Sequence, residues 1–345
     1  MTELVDTLQW LVDIPSVTGD ERAIRDAVAG RLEGMPQHSI ADSLVVGEHR
    51  AGAVLLVGHL DTVPLQGHVG ARIEGDRVHG LGSTDMKGGL AVMIHLIERL
   101  GPGRVACVFY AGEEGPLSGN QLGTVLKAAP WLVEASAGIV MEPTDRAIEA
   151  GCQGAINADV TFLGEPAHSA RPWLGDNAVT KAGEFLTFMR GLEPEPHLID
   201  GLEFREVISV TTAHGGVAKN VIPAVFVVNV NYRFAPDRSV EEAIERLRGV
   251  CAAADRVEIT DLAPAGSVEV GHPVFQALSE SSGAAVLGKQ GWTDVAQLSA
   301  AGVPAVNFGP GEPGLAHKPG ESVRIADLYW AYDSLLVVLD NGSRR

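Results

Sequence analysis

The segment AGAVLLVGHLDTVP (residues 51–64) decides the fold prediction. It is a short apolar run that ends in polar residues and a proline, which is typical of a buried strand. Two later segments have the same form, RVACVFYAG (104–112) and AGIVMEP (137–143). Helical patterns separate the three segments, and strands that alternate with helices predict βαβ units and a parallel, doubly wound sheet.

The same texture returns near the end of the chain. The helical pattern LAVMIHLIERL (90–100) precedes the second strand, and NQLGTVLKAA (120–129) follows it. Beyond residue 272 we predict a helix, a buried strand at PAVNFG (304–309) and a last helix at IADLYWAYDSLLVVL (325–339). We therefore expect an α/β domain with a mixed, mainly parallel sheet, built from two separate parts of the chain.

The segment between these parts has another pattern. GAINADVTFLG (154–164) and AVFVVNVNYRFA (224–235) alternate apolar and polar residues, as strands with one wet face do. Helical segments at 177–192 and 239–254 and a strand at 256–262 complete the order β-α-β-β-α-β, which favours a ferredoxin-like α+β unit. The predicted bounds of a discontinuous first domain and an inserted second one are 1–151, 152–262 and 263–345.

Composition and charge narrow the class of function. Hydrophobic residues make up 46% of the 345-residue chain and charged residues 20%, which is an ordinary globular composition. The net charge of −18 repels phosphate backbones and anionic membranes. We therefore expect neither a nucleic acid nor a membrane as a partner.

The cysteines and the N-terminal segment indicate a compartment. The three cysteines are Cys107, Cys152 and Cys251, far apart and each in apolar sequence, so neither a disulfide framework nor a thiolate zinc site is predicted. The segment MTELVDTLQWLVDIPSVTGDE (1–21) lacks the basic start and the apolar stretch of a signal peptide. We expect a cytoplasmic protein with free thiols.

Residue types that bind metal ions follow the predicted strands. In open α/β sheets, ligands bind outside the carboxyl ends of the strands, so side chains at these ends should meet in one crevice. The Gly-rich loop HGLGSTDMKGG (79–89) at the start of a helix contributes one more acid. The positions concerned are His59, Asp61, Asp85, Glu113, Glu114 and Glu142.

So many carboxylates in one crevice require a compensating charge. Bare clustered carboxylates are costly to bury, and a cation resolves that cost. Imidazole and carboxylate ligands without thiolates suit zinc, with manganese or cobalt as alternatives. Any one of these residues, such as His59, taken alone is more simply interpreted as a satisfied core residue. The whole set at strand ends favours a metal site.

Seven motifs in order resemble a known family. They are GHLDTVP, GLGSTDMKGG, AGEEG, MEPT, AHSARPWLGDNA, KNVIP and GLAHKPGE, and they cover nearly the whole chain. Together they are similar to the motifs of the aminoacylase/carboxypeptidase family of two-zinc amidohydrolases. Three longer segments resemble the branch of that family that removes a succinyl group from an N-acylated diamino acid. These segments are HSARPWLGDNAV, VNYRFAPDRSV and GWTDVAQLSAAGVPAVNFGPGEPGLAHKPGE.

The resemblance implies a metal centre with two zinc ions per subunit, for which cobalt or manganese can substitute. It makes Asp85 the carboxylate that bridges the two ions and implies a cis bond between Asp85 and Met86. The remaining ligands implied by the motifs are His59 and Glu142 for one ion, and Glu114 and His317 for the other.

The resemblance also implies the catalytic groups and the assembly. Glu113 would be the general base on a water between the metal ions, and Asp61 would hold the second ring nitrogen of His59. His168 would reach across a homodimer formed through the inserted domain and polarise the carbonyl of the bond to be cut. The expected fold is a zinc-peptidase-like catalytic domain with an inserted ferredoxin-like dimerisation domain.

The expected substrate is a small, anionic N-acyl amino acid. Candidate contacts by resemblance are Asn220, Arg233, Arg171, Gly291 and Thr293. Three positions depart from the family pattern and leave the acyl group open: Leu81, Gln153 and Trp292. The alternatives are a deacylase for another N-acyl amino acid such as N-acetylornithine, a small carboxypeptidase, or a binding protein without catalysis. An intact Glu113 argues against the last, because metal binding alone does not need that carboxylate.

Overall fold

The structure is a computed structural model that describes residues 3–50, 52–64, 67 and 70–341. The helices are α1 Glu3–Val12, α2 Arg22–Arg31, α3 Lys87–Leu100, α4 Leu122–Ala128, α5 Ala178–Lys181, α6 Gly183–Arg190, α7 Val240–Val250, α8 Pro273–Ser282, α9 Val295–Ala300 and α10 Ile325–Asn341. Short 3-10 helices lie at Leu117–Gly119, Pro130–Glu134, Pro172–Leu174 and Pro313–Leu315.

The strands fall into three sheets. They are β1 Gln37–Ile40, β2 Ser43–Val46, β3 Val54–His59, β4 Arg72–Glu74, β5 Arg77–His79, β6 Val105–Tyr110, β7 Ala137–Val140, β8 Ile148–Ala150, β9 Gly154–Leu163, β10 Glu195–Ile199, β11 Leu202–Gly215, β12 Val225–Phe234, β13 Arg256–Ala263, β14 Val286–Gly288, β15 Ala305–Asn307 and β16 Ser322–Arg324. None of the described helices is long and apolar enough to cross a membrane.

The chain divides into two compact units. The first runs up to Gly151 and includes Gly266–Lys289 and the chain from Asp294 onward. The second comprises Cys152–Ala265 together with Gln290–Thr293. The short segment 290–293 therefore belongs to the second unit, although no sequence pattern separates it from its neighbours.

The first unit contains a mixed sheet with strand order β1-β2-β6-β3-β7-β15-β8-β14. The pairs β6–β3, β3–β7, β7–β15 and β8–β14 are parallel, while β1–β2, β2–β6 and β15–β8 are antiparallel. The predicted mixed, mainly parallel sheet is confirmed. A smaller antiparallel sheet, β16-β5-β4, lies in the same unit.

The central strands of the first sheet are apolar because both of their faces are covered. Every residue of β3, β6 and β7 is buried, as a strand that lies between layers of helices requires. Helix α3 is also buried over most of its surface. Since β3 and β6 are parallel and pair His59 with Tyr110, their carboxyl ends stop at the same edge, and the loops that follow them start side by side.

The second unit contains an antiparallel sheet with strand order β10-β11-β12-β9-β13. Leaving out β10, this order is that of a ferredoxin-like fold, in which the first and last strands are neighbours. Alternate residues of β12 are buried and pack with α5, α6 and α7 into one core: Phe226, Val228, Val230, Tyr232 and Phe234. The structure adds a strand, β10, and divides the predicted helix at 177–192 into α5 and α6.

Candidate active site

His59 ends strand β3 and is 1% exposed. Its Nε2 atom lies 3.1 Å from Asp85 Oδ1 and 3.7 Å from Glu142 Oε1. Burial by itself lowers the pKa of His59. The hydrogen bond to Asp85 and the charges of Glu113 and Glu142 outweigh burial and raise this pKa well above its usual value. The imidazole is therefore surrounded by acids.

Asp85 lies in the Gly-rich loop before α3, between two histidines. Its Oδ1 atom faces His59, and its Oδ2 atom lies 3.3 Å from His317 Nε2. Burial by itself raises the pKa of Asp85, but the hydrogen bonds with His317 and His59 bring it below its usual value. The peptide bond between Asp85 and Met86 is cis, as the resemblance implied.

His317 lies on the open side of this group, with 48% of its side chain exposed. Its Nε2 atom is 2.9 Å from Glu114 Oε1. Hydrogen bonds with Asp85 and Glu114 raise the pKa of His317 to about 10. Candidate ligand atoms of His59, Asp85 and Glu114 all lie within 4.8 Å of one another.

Glu142 follows strand β7 and is 7% exposed. Burial, followed by the negative charge of Asp85, raises the pKa of Glu142 to about 8, although His59 and Lys289 oppose the shift. The Nζ atom of Lys289 donates to Glu149 at 2.6 Å, and among the described residues Lys289 forms no ion pair with Glu142.

Asp61 holds the loop that carries the two adjacent glutamates. Its Oδ1 atom accepts hydrogen bonds from the backbone N–H groups of Gly112 at 3.0 Å and Glu113 at 3.1 Å, and its Oδ2 atom accepts from Glu114 N at 3.0 Å. His59 Nδ1 lies 3.0 Å from the backbone oxygen of Asp61 and 3.6 Å from its carboxylate. The nearer partner of this ring nitrogen is therefore the main chain, whereas the resemblance implied the side chain.

Glu113 projects from this loop and is partly buried. Its carboxylate has no hydrogen bond or ion pair within the described part of the chain. Burial, followed by the charges of Glu142 and Asp294, raises the pKa of Glu113 well above its usual value, against the opposing effect of His59.

We call His59, Asp85, Glu113, Glu114, Glu142 and His317 the strand-end cluster. Within the described residues, its carboxylates form ion pairs only with its own histidines. Burial and mutual repulsion push Glu113 and Glu142 toward their protonated forms, and a divalent cation would cancel that effect. Nitrogen and oxygen donors without thiolates fit zinc, cobalt or manganese. The donor set therefore fits a metal centre.

A second acid–histidine group lies in the second unit. Glu195, His197 and Glu206 also bring candidate ligand atoms within 4.8 Å of one another. Here, however, Arg238 Nε donates to Glu206 at 2.8 Å, and Arg246 pairs with Glu195. We call these five residues the Glu206 cluster. Because guanidinium groups already neutralise its carboxylates, it is a structural ion network.

Three predicted substrate-site residues lie together in the second unit. His168 forms an isolated antiparallel bridge with Val221, and Ser169 N donates to Asn220 O at 3.0 Å. Arg171 N donates to His168 O at 2.8 Å. The side chains of His168, Arg171 and Asn220 are exposed. The adjoining segments 168–171 and 220–221 therefore carry these three side chains.

The remaining predicted contacts are also in the second unit. Arg233 Nε donates to Asn231 Oδ1 at 3.1 Å, and burial lowers the pKa of its guanidinium. Thr293 is 3% exposed, and its hydroxyl oxygen has no hydrogen-bond partner among the described residues. Buried polar atoms normally have partners, so this hydroxyl is suited to a ligand. Gly291 has φ +133°, in the region that favours glycine.

The positions that depart from the family pattern have packing roles. Leu81 is 6% exposed. Gln153 Nε2 donates to Arg205 O at 2.6 Å, and Trp292 Nε1 donates to Pro264 O at 3.0 Å. Gln153 and Trp292 thus bind main-chain oxygens of their own unit.

Two buried acids near the cluster were not predicted. Glu321, which is 1% exposed, accepts hydrogen bonds from the backbone N–H groups of Thr84 at 3.0 Å and Asp85 at 3.1 Å. Burial raises the pKa of Glu321 to about 7 against these donors. Asp294 accepts from the Tyr110 hydroxyl. Glu321 closes the motif GLAHKPGE, which is the one sequence signal for it, and Asp294 follows Thr293 directly.

A mixed α/β sheet, an inserted antiparallel domain and a carboxylate–histidine cluster at the strand ends define the class of metal-dependent hydrolases. Solved structures share this fold. A tripeptidase from Staphylococcus aureus aligns with a TM-score of 0.80 at 19% identity, covering 100% of this chain and 99% of that chain. An M20 family metallo-carboxypeptidase from Sulfolobus solfataricus aligns with a TM-score of 0.77 at 16% identity, covering 98% and 99%.

Sequence comparison then identifies the family. Residues 55–341 match Peptidase family M20/M25/M40. A Mycobacterium tuberculosis (strain H37Rv) protein provisionally named succinyl-diaminopimelate desuccinylase DapE is 41% identical over 336 residues, 94% of each chain. The succinyl-diaminopimelate desuccinylase of Corynebacterium glutamicum is 36% identical over 337 residues, 93% of this chain and 91% of that protein. The chain belongs to the peptidase family M20/M25/M40.

Proposed function

We propose that the protein hydrolyses the amide bond of N-succinyl-LL-2,6-diaminopimelate and releases succinate and LL-2,6-diaminopimelate. The two relatives named succinyl-diaminopimelate desuccinylases, at 41% and 36% identity, support this substrate. The observation that carries the reaction class is the strand-end cluster, in which the carboxylate of Glu113, without a partner among the described residues, stands beside a set of candidate metal ligands.

The proposed metal centre holds two zinc ions per subunit, with cobalt or manganese as substitutes. Asp85 would bridge the ions, because its two oxygens face different histidines, His59 and His317. Glu142 would join His59, and Glu114 would join His317. Charge supports this assignment, since two divalent cations balance the four carboxylates of the cluster.

Glu113 would be the general base. When bound, the metal ions supply Lewis acidity that polarises the amide carbonyl and makes water more acidic. Glu113 takes a proton from the attacking water and returns it to the nitrogen of the leaving amine. Asp61 would keep this carboxylate in position, because it binds the backbone N–H groups of Gly112, Glu113 and Glu114.

The substrate carries three carboxylates, so the proposal requires cationic and hydrogen-bonding groups around it. Arg233 is a suitable anion contact, because burial weakens its hydration and its only described side-chain hydrogen bond is to Asn231. The unpaired hydroxyl of Thr293 and the exposed side chains of Asn220 and Arg171 are further candidates, with Gly291 lining the same loop as Thr293.

The proposal includes a homodimer formed through the inserted domain, 152–262, with His168 acting on the carbonyl in the partner's site. Mixing two inactive variants tests this arrangement. A hybrid of His168→Ala and Glu113→Gln subunits would contain one site with both residues intact, so activity should return on mixing. Activity that stays absent although hybrids form would show that His168 does not act across subunits.

The proposal places the reaction in the cytoplasm. Cys107, Cys152 and Cys251 are buried and lie outside any disulfide, which supports a reducing compartment.

A substrate panel tests the proposed reaction. Zinc-loaded protein would be given N-succinyl-LL-diaminopimelate, N-succinylornithine, N-acetylornithine and a dipeptide, and the released amine would be measured. We expect kcat/KM to be highest for the first. Preference for an acetyl substrate or a dipeptide would overturn the proposed specificity, and no hydrolysis of any of them by protein with full metal content would overturn the reaction class.

A further inference from the structure

A buried hydrogen-bond network centred on Asp294 adjoins the loop that carries Glu113 and Glu114. Asp294 is 0% exposed. Its carboxylate accepts hydrogen bonds from the Tyr110 hydroxyl, from Asn120 Nδ2 at 3.0 and 3.1 Å, and from Gln297 Nε2 at 2.5 Å. All of these donors are neutral, and in the described part of the chain Asp294 has no basic partner.

Two of the donors lie at the two ends of one loop. Tyr110 is the last residue of β6 and directly precedes the loop 111–119, and Asn120 directly follows it. Both side chains bind the same carboxylate. The main chain closes the loop at the same place, because Gln121 N donates to Ala111 O at 2.9 Å. Asp294 therefore joins the start of the loop to its end.

The network also reaches the metal-ligating histidine. The Tyr110 ring is fully buried and stands edge-on to the His59 ring, with 6.3 Å between ring centroids. Asp61 binds the middle of the loop, while Asp294 binds its two ends. A shift of Tyr110 would therefore displace both the His59 ring and the loop.

We propose that Asp294 is a positioning residue that clamps both ends of the loop 111–119 and so fixes Glu113 and Glu114 relative to His59. Its carboxylate is required because Tyr110, Asn120 and Gln297 all present donors to it. An amide at this position turns one acceptor oxygen into a donor, which leaves buried donors facing each other. The kinetic part of this inference rests on the proposed function.

Three variants test the clamp. Asp294→Asn should lower kcat about 10- to 100-fold and change KM less than about twofold, because small misplacements of catalytic groups act mainly on the chemical step. Tyr110→Phe removes one donor and should cost less. The double variant Asp294→Asn/Asn120→Asp exchanges amide and carboxylate, so the direct hydrogen bond between positions 120 and 294 can form again in the opposite direction, while Tyr110 and Gln297 share one acceptor oxygen instead of two. We expect it to recover part of the kcat that Asp294→Asn loses.

Hydrogen–deuterium exchange of the metal-loaded protein without substrate provides a readout that does not depend on the reaction. In Asp294→Asn the peptide covering 111–121 should exchange at least about tenfold faster, while peptides from β9 stay unchanged, and the double variant should restore part of the protection. The matched control is Asp327→Asn, since Asp327 is equally buried but pairs with Arg146 and Arg324. It should leave the loop peptide at the wild-type rate.

The outcomes separate the two proposals. If the wild type does not cleave succinyl substrates, the proposed function falls, and exchange still decides the role of Asp294. Wild-type exchange of the loop in Asp294→Asn would overturn the clamp. If Asp294→Asn does not fold, Tyr110→Phe answers the question by the same exchange measurement.

Discussion

The strand-end cluster and the Glu206 cluster both combine buried carboxylates with histidine, but the carboxylates are neutralised in different ways. Each gathers carboxylates and an imidazole within 4.8 Å. In the Glu206 cluster, Arg238 and Arg246 supply the positive charge. In the strand-end cluster no described lysine or arginine pairs with the acids, and burial raises the pKa values of Glu113 and Glu142.

A comparison of the two clusters shows which feature distinguishes a metal centre from an ion network. The number of acids does not separate them, and the presence of a histidine does not either. The separating feature is whether the chain provides guanidinium or ammonium partners, because a buried carboxylate must be neutralised by something. Among the described residues, the only cations paired with the strand-end cluster's acids are the imidazoles of His59 and His317, which are themselves candidate metal ligands.

The largest difference between the two clusters is expected in their affinity for zinc. Asp85→Asn should weaken binding of at least one zinc ion by about 10³-fold, whereas Glu206→Gln should keep two ions per chain. Metal content after dialysis against a weak chelator, measured by mass spectrometry, tests both. Metal loss in Glu206→Gln, or full retention in Asp85→Asn, would contradict the distinction.

Within the strand-end cluster, replacing the proposed base should lower kcat without releasing metal, unlike replacing a metal ligand. Glu113→Gln keeps the shape of the side chain and removes its ability to accept a proton, so kcat should fall about 10³-fold. Both metal ions should remain bound, because Glu113 is not assigned as a ligand. A variant with near-normal turnover would show that another group is the base.

We expect substitutions in the Glu206 cluster to lower the free energy of unfolding. Glu206 is 2% exposed and binds Arg238, the Tyr232 hydroxyl and Ala235 N. Glu206→Gln should cost about 3 kcal/mol in the free energy of unfolding, because breaking a buried ion pair leaves Arg238 uncompensated. Urea unfolding of the metal-loaded protein measures this, and a change below about 1 kcal/mol would show that the network is mostly solvated.

Acid should weaken the same network. Burial raises the pKa of Glu206, but Arg238, Ala235 N and Tyr232 bring it below its usual value of 4.5. A lowered folded-state pKa gives a contribution that is complete above about pH 4.5 and is lost as the pH falls through that lowered pKa. The stability difference between wild type and Glu206→Gln should therefore shrink below pH 4.5. A difference that stays constant would contradict this.

The smallest effect is expected at Thr293. Thr293→Val keeps the volume and removes the unpaired hydroxyl, so KM should rise about five- to tenfold with little change in kcat, as expected for one lost hydrogen bond. Thr187→Val, in helix α6 away from this loop, is the control. An unchanged KM would remove Thr293 from the substrate contacts.

The sequence predicted the central architecture because its strongest signals are local. Strands β3, β6 and β7 are continuous apolar runs that end in polar residues, and their parallel pairing brings their carboxyl ends together. This is why the meeting of His59 and Glu142 followed from the predicted strands, while Asp85 came from the Gly-rich loop before α3. The three-residue strands β4, β8 and β14 are too short to show a period, and the sequence analysis missed them.

The buried partners could not be predicted in this way. Asp294 and Tyr110 are 184 residues apart in the chain, and Glu321 is 236 residues from Asp85. Neither pair has a spacing rule, because the contact depends on how helices and loops pack over the sheet. The backbone oxygen of Asp61 beside His59 was missed for a related reason, since sequence patterns suggest side chains as partners.

A crystal structure of the zinc-loaded protein, with the zinc ions located by anomalous scattering, tests whether the strand-end cluster is a two-zinc centre in which Glu113 is not a ligand. We predict two zinc ions per chain, with Asp85 between them and Glu114 as a ligand of one. Glu113 should lie within hydrogen-bond distance of a water and bind neither ion. A structure in which Glu113 is a metal ligand, or in which zinc occupies the Glu206 cluster, would contradict this prediction.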